Sequence, residues 1–119
     1  MKTFNIAIVG LGNIGLEVYK NLLHNKNNIF NKTGFRLNIY KVSSKNFSKK
    51  RGNIKIPKSL WEKNALNLCA DKNVDIIVEL VGGADGIAKK LVFSSLKNKK
   101  HVVTANKALI AKHGDQLSI

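Results

Sequence analysis

The chain has 119 residues, 44% of them hydrophobic, which suits one domain with a packed core and excludes a disordered chain. Its formal net charge is +14, with 21 lysines and arginines against 7 acids, and only Arg36 and Arg51 are arginine. The lysines are spread along the chain among many asparagines, and no aromatic-studded strand accompanies them. That pattern reflects compositional bias and argues against a specific nucleic-acid partner, although weak attraction to DNA at low salt follows from the charge alone. No apolar stretch reaches membrane-spanning length and no signal-peptide pattern opens the chain, so no membrane partner is expected. The single cysteine, Cys69, excludes an internal disulfide and suits a reducing cytoplasm; near Trp61, Leu66 and Leu68 it reads as a small buried hydrophobe.

Residues 4–9 read as a fully buried first strand. Gly10-Leu11-Gly12-Asn13-Ile14-Gly15 follows directly and opens a segment in which Ile14, Val18 and Leu22 recur at helical spacing, predicting a helix to about residues 24–26. A strand ending in GxGxxG and leading into a helix is the dinucleotide-binding fingerprint. The first glycine permits a tight turn, the second admits the backbone to a pyrophosphate, and the third allows close packing. The helix N-terminus then attracts phosphate charge. Gly10, Gly12, Asn13, Ile14 and Gly15 are therefore candidate cofactor-binding residues.

The polar stretch 25–34 reads as a turn region with Ile29 and Phe30 tucked onto the core, and Phe35, Leu37, Ile39 and Val42 suggest a second strand. Residues 45–56 form a basic loop without periodicity. A short helix reaching Ala70 begins either at a Ser59/Glu62 capping box or at Asn64, and the sequence leaves both open. Residues 75–81 are a buried strand ended by Gly82-Gly83; Asp85 caps a helix over about 86–98, with Ile87, Leu91, Val92 and Leu96 facing inward. Residues 101–104 form another short strand, and Asn106 caps a last helix through Leu109, Ile110 and Ala111, broken by Gly114. Strands alternating with helices predict a doubly wound α/β domain with a parallel sheet spanning the whole chain, residues 1–119.

In such a sheet the ligand sits beyond the carboxyl ends of the strands, at the topological switch point. The glycine turn, Gly82-Gly83 and Thr104-Ala105-Asn106-Lys107 all reach that edge. Gly82 and Gly83 are either a close-approach surface for a nicotinamide ribose or ring, or a simple strand exit. After the second strand, Val42-Ser43-Ser44-Lys45, with Lys49, Lys50 and Arg51 shortly after, carries hydroxyls and cations, and no acid occurs between Glu17 and Glu62. NAD sites commonly place a carboxylate there to hold the ribose hydroxyls, whereas NADP sites reject one. Ser44 and Lys45 are thus candidates for a 2′-phosphate, and NADPH is the preferred cofactor, with NADH possible. The scattered acids and histidines show no metal-ligand spacing, and no metal is expected.

Residues 74–83 (Val-Asp-Ile-Ile-Val-Glu-Leu-Val-Gly-Gly) and 101–111 (His-Val-Val-Thr-Ala-Asn-Lys-Ala-Leu-Ile-Ala), followed by His113-Gly114, closely resemble homoserine dehydrogenase. With the glycine turn, the resemblance covers residues 4–117. It implies a Rossmann-type domain of an enzyme that reduces aspartate 4-semialdehyde to homoserine with NADPH or NADH, on the route to threonine, methionine and isoleucine. It also implies a homodimer or larger homo-oligomer. Members are considerably longer, so the chain resembles their N-terminal piece; the expectation is that further substrate-binding acids and a second lysine lie beyond it, and that the piece alone turns over no substrate. The resemblance assigns Lys107 to cofactor contact and catalysis. An ammonium there suits the negative charge that develops on a carbonyl oxygen receiving hydride. Thr104 faces the cofactor, fixes the Lys107 loop, or merely caps. Glu79 matches a family glutamate and reads as structural, a buried carboxylate in need of a partner. The rival readings are a non-catalytic nucleotide-sensing module and another NAD(P)-dependent semialdehyde or amino-acid dehydrogenase.

Overall fold

The computed structural model describes residues 2–44, 56–81 and 86–104. Four strands, β1 (Lys2–Val9), β2 (Phe35–Ser43), β3 (Ile76–Glu79) and β4 (His101–Thr104), form one parallel sheet in the order β2-β1-β3-β4. β1 is central because it is apolar on both faces: Ile6, Ala7, Ile8 and Val9 are all buried. Alternate residues feed two cores. Ile6 and Ile8 meet Tyr19, Ile39, Val42 and Val78, whereas Ala7 and Val9 meet Leu68, Cys69, Val74, Ile77 and Leu91. Helix α1 (Asn13–His24) therefore covers one face, and α3 (Leu66–Ala70) with α4 (Ile87–Lys97) covers the other. This is the doubly wound arrangement expected from the sequence. None of the described helices is long and apolar enough to cross a membrane.

Several elements depart from the sequence expectation. The polar stretch after α1 forms a second helix, α2 (Lys26–Thr33), and not a turn. Asparagine is a weak helix former, but Gly34 at φ +77° closes the helix with its N–H on the Phe30 carbonyl at 2.8 Å, and Thr33 Oγ1 donates to the Ile29 carbonyl at 2.7 Å. Ile29 and Phe30 are half-buried, and the Arg36 guanidinium lies 5.1 Å from the Phe30 ring centre. In α1, Val18 and Leu22 pack inward as expected, but Ile14 is 64% exposed and Tyr19 takes the buried position. β2 carries a bulge: Ile6 pairs with Ile39 but Ala7 pairs with Lys41, so Tyr40 is an extra residue. In a regular strand Val42, three positions after Ile39, would face the other way; the bulge turns it back, and both enter the same core.

The open choice before α3 resolves toward Asn64. Its Oδ1 accepts the Leu66 N–H at 3.1 Å, whereas Ser59 lies in a single 3-10 turn (Lys58–Leu60) that has no side-chain cap. β3 is shorter than the apolar run that announced it. Asp75 lies outside the strand, where its carboxylate accepts the Asn5 N–H at 2.7 Å while its own N–H donates to the Asn5 carbonyl at 2.9 Å. Lys100 Nζ donates to the carbonyls of Asp71 (2.6 Å) and Val74 (2.7 Å). In α4, Leu91 and Val92 are buried as expected, Ile87 and Leu96 are half-buried, and the small residues Ala88 and Ser95 bring the helix close. Cys69 is a buried free thiol, as expected, accepting from the Ser95 hydroxyl at 3.3 Å. The expected caps Asp85 and Asn106 and the last helix lie outside the described residues.

Burial raises the Tyr19 phenol above its ordinary 10.0. The folded state therefore holds this proton more tightly than the unfolded one, and the stabilisation is complete below the unfolded value and lost as pH rises through the folded one. Thermal melts between pH 8 and 11 should show Tyr19→Phe losing less stability above about pH 10 than the parent chain, by up to about 1.4 kcal/mol per pH unit. Parallel alkaline profiles would contradict this.

Candidate functional site

The chain runs from β1 to β2 on one side, then crosses to β3 on the other, so the switch point lies between the carboxyl ends of β1 and β3. The turn after β1 sits directly on the exit of β3. Gly10 has φ +98°, a conformation that favours glycine, and a Cβ built on it would lie 2.8 Å from the Leu80 carbonyl carbon and 3.0 Å from the Val81 nitrogen. Its N–H donates to the Ser43 carbonyl at 2.8 Å, and the Leu80 N–H donates to the Val9 carbonyl at 2.8 Å. Three strand ends are thus joined by backbone contacts alone.

The other two glycines act differently. A Cβ on Gly15 would lie 2.0 Å from the Gly10 carbonyl oxygen, so α1 can fold back onto the turn only with a bare Cα there. A Cβ on Gly12 would meet nothing within 4 Å. Gly12 is the N-cap of α1 and brings no side-chain acceptor, and the first turn holds no acid. The positive end of α1 and its first N–H groups are left to an outside anion. Close packing therefore explains Gly10 and Gly15 but not Gly12, and the space beside Gly12 is what a pyrophosphate requires.

That space opens into a cleft of about 550 Å³. It is lined by residues 9–12 of the turn, by Ser43 and Ser44 at the end of β2, by residues 63–65 on the approach to α3, and by Leu80, Val81 and Ile87. Among these described residues there is one cation, Lys63, and no carboxylate. An apolar lining with a few polar groups and a helix N-terminus suits the adenosine and pyrophosphate of a dinucleotide. No described group of His, Cys, Asp and Glu could hold a metal ion.

The structure brings together part of the set expected from the sequence. Gly10, Gly12 and Ser44 line the cleft, while Gly15 is buried behind the turn. Ile14 does not line it, and Asn13 contributes the first residue of α1. Lys45, Gly82, Gly83 and Lys107 lie outside the described residues. Thr104 does not touch the cleft. Its hydroxyl donates at 2.5 Å to Oε1 of Glu79, which is wholly buried, while Oε2 of the same carboxylate accepts the Val81 N–H at 2.6 Å. Two partners of Glu79 are therefore a hydroxyl and a main-chain N–H. Sequence reasoning missed Lys63, Asn64 and Ala65, which reach the cleft only through the fold, and also Leu80 and Val81, whose place at a strand exit was a usable signal.

Residues 10–118 match the family described as "Homoserine dehydrogenase, NAD binding domain". The chain belongs to the homoserine dehydrogenase family, as its NAD-binding domain. It is 34% identical over 117 residues to a homoserine dehydrogenase from Bacillus subtilis, a match covering 98% of this chain and 27% of that protein. A crystal structure of S. aureus homoserine dehydrogenase superposes with a TM-score of 0.87 at 37% identity, over 98% of this chain and 30% of the other. A hyperthermophilic archaeal homoserine dehydrogenase mutant in complex with NADPH shares the fold, with a TM-score of 0.63 at 21% identity, over 97% of this chain and 39% of that one. The chain thus spans about a quarter of the length of the curated relatives it matches.

The glycines separate stability from binding. Gly15→Ala should destabilise the fold by about 2 kcal/mol, because the forced Cβ outweighs the better helix propensity. Gly12→Val should leave the melting temperature within a few degrees of the parent while lowering NADPH affinity about tenfold or more. Thermal melts and calorimetric titration check both, and a Gly12→Val chain that binds normally would remove the pyrophosphate from this turn.

Proposed function

We propose that the chain binds NADPH across the β1–β3 switch point and forms the cofactor half of an enzyme that reduces aspartate 4-semialdehyde to homoserine. The observation that carries this reading is the glycine turn, pinned to the β3 exit by Gly10, packed against α1 by Gly15 and left open at Gly12. In it, the Gly12 turn and the first N–H groups of α1 hold the pyrophosphate, with Asn13 and Ile14 at its edge. Ser44 and Lys45 hold the adenosine 2′-phosphate at the end of β2, and Gly82 and Gly83 give the nicotinamide half room at the exit of β3. The hyperthermophilic archaeal homoserine dehydrogenase mutant in complex with NADPH supports the cofactor's class. When bound, the nicotinamide supplies hydride.

NADPH over NADH is supported by the cleft itself. None of its described lining residues is a carboxylate, and Ser43 and Ser44 at the end of β2 and the cation Lys63 line the same cleft, where a 2′-phosphate would lie. A carboxylate there would repel that phosphate and hydrogen-bond a free ribose hydroxyl instead.

Lys107 is the catalytic residue of this reading. Its ammonium stabilises the negative charge forming on the substrate's carbonyl oxygen and provides the proton that oxygen takes up. Thr104, next to that loop, keeps it in place. The remaining substrate contacts come from chain beyond these residues, and the complete enzyme works as a homodimer or larger homo-oligomer in the cytoplasm.

Calorimetric titration with NADPH and NADH tests the assignment. The parent chain should bind NADPH more tightly, at physiological as well as low salt. Ser44→Asp should reverse or erase the preference, by about tenfold or more, through charge repulsion of the 2′-phosphate. Unchanged discrimination in Ser44→Asp would show that the end of β2 does not select the cofactor.

A further inference from the structure

Glu79 is the only Asp, Glu, Lys, Arg or His among the described residues that is buried, and it stands at the end of an otherwise apolar strand. Burying a carboxylate is unfavourable unless hydrogen bonds offset the lost hydration, so an apolar residue would serve packing better. What the carboxylate does instead is join two strand exits. One oxygen accepts the Val81 N–H at 2.6 Å, just past β3, and the other accepts the Thr104 hydroxyl at 2.5 Å, at the end of β4. Charge-assisted bonds this short hold both donors in fixed orientation.

The donors are well placed to matter. The Leu80–Val81 peptide is the surface against which the Gly10 turn rests, and both side chains line the cleft. With the adenosine at the end of β2 and the pyrophosphate on the glycine turn, the nicotinamide half of a dinucleotide falls on the side of β3 and β4. We propose that Glu79 is a positioning residue for that half: it fixes the Leu80–Val81 wall and the Thr104 exit relative to one another, so that the nicotinamide riboside meets a rigid surface. This inference rests on the cofactor reading above.

The test compares NADPH with 2′-phospho-ADP, the same molecule without its nicotinamide riboside, by calorimetry on folded chains. Glu79→Gln should weaken NADPH about tenfold, the loss expected for one well-made contact, and leave 2′-phospho-ADP within about twofold. Thr104→Val, which removes only one of the two donors, should shift NADPH in the same direction, and Thr104→Ser should restore parent binding. It also keeps the test decisive should Glu79→Gln fail to fold. Equal weakening of both ligands would mark Glu79 as merely structural, and unaltered NADPH binding in both Glu79→Gln and Thr104→Val would remove any role. If the parent chain binds neither ligand, the cofactor reading fails and this inference falls with it.

Discussion

The structure depends on a contact made without side chains: the turn after β1 lies against the backbone leaving β3. Only a residue lacking Cβ can take that position, since any Cβ at Gly10 would overlap the Leu80 carbonyl. The contact fixes how far β1 and β3 extend past the sheet and where α1 begins, and so where its positive end points. Gly15 applies the same constraint from the helix side, by lying against the Gly10 carbonyl. With both approaches closed, Gly12 is the one position of the motif whose missing side chain leaves room for something else.

Charge acts on this frame at two scales. The whole chain carries +14, which attracts any polyanion at low salt without discriminating among them. Discrimination has to come from short-range features: a helix start without a side-chain cap, two serines at the end of β2, one lysine in the lining, and no carboxylate among the described lining residues. Glu79, the one fully buried carboxylate among the described residues, bonds to Val81 and Thr104.

The central part of the fold was legible because it is written locally. β1 ends in a continuous apolar run, residues 6–9, between two paired strands, the glycines follow at fixed spacing, and α4 shows a regular inward face. α2 was not legible, since Asn-rich sequence favours turns and the helix depends on Gly34 and Thr33 at its far end. The bulge at Tyr40 was hidden because it appears only as a broken alternation between Ile39 and Val42. The cleft wall formed by Lys63, Asn64 and Ala65 has no local signature, because its position depends on how the chain crosses the sheet after β2. Likewise the Glu79–Thr104 bond spans 25 positions and follows from parallel register, in which these two residues are partners. Glu79 could be recognised as needing a partner, but the register named which one.

The most direct measurement is an amide chemical-shift map of the isotopically labelled chain during titration with NADPH at physiological salt. The account predicts that the largest changes fall on residues 10–15, Ser43, Ser44, Leu80 and Val81, all at the carboxyl edge of the sheet. Changes centred on Lys26, Arg36, Lys99 and Lys100, away from that cleft, or spread evenly over the lysines, would contradict it. Such a pattern would mean that the dinucleotide responds to the chain's overall charge and not to the glycine turn.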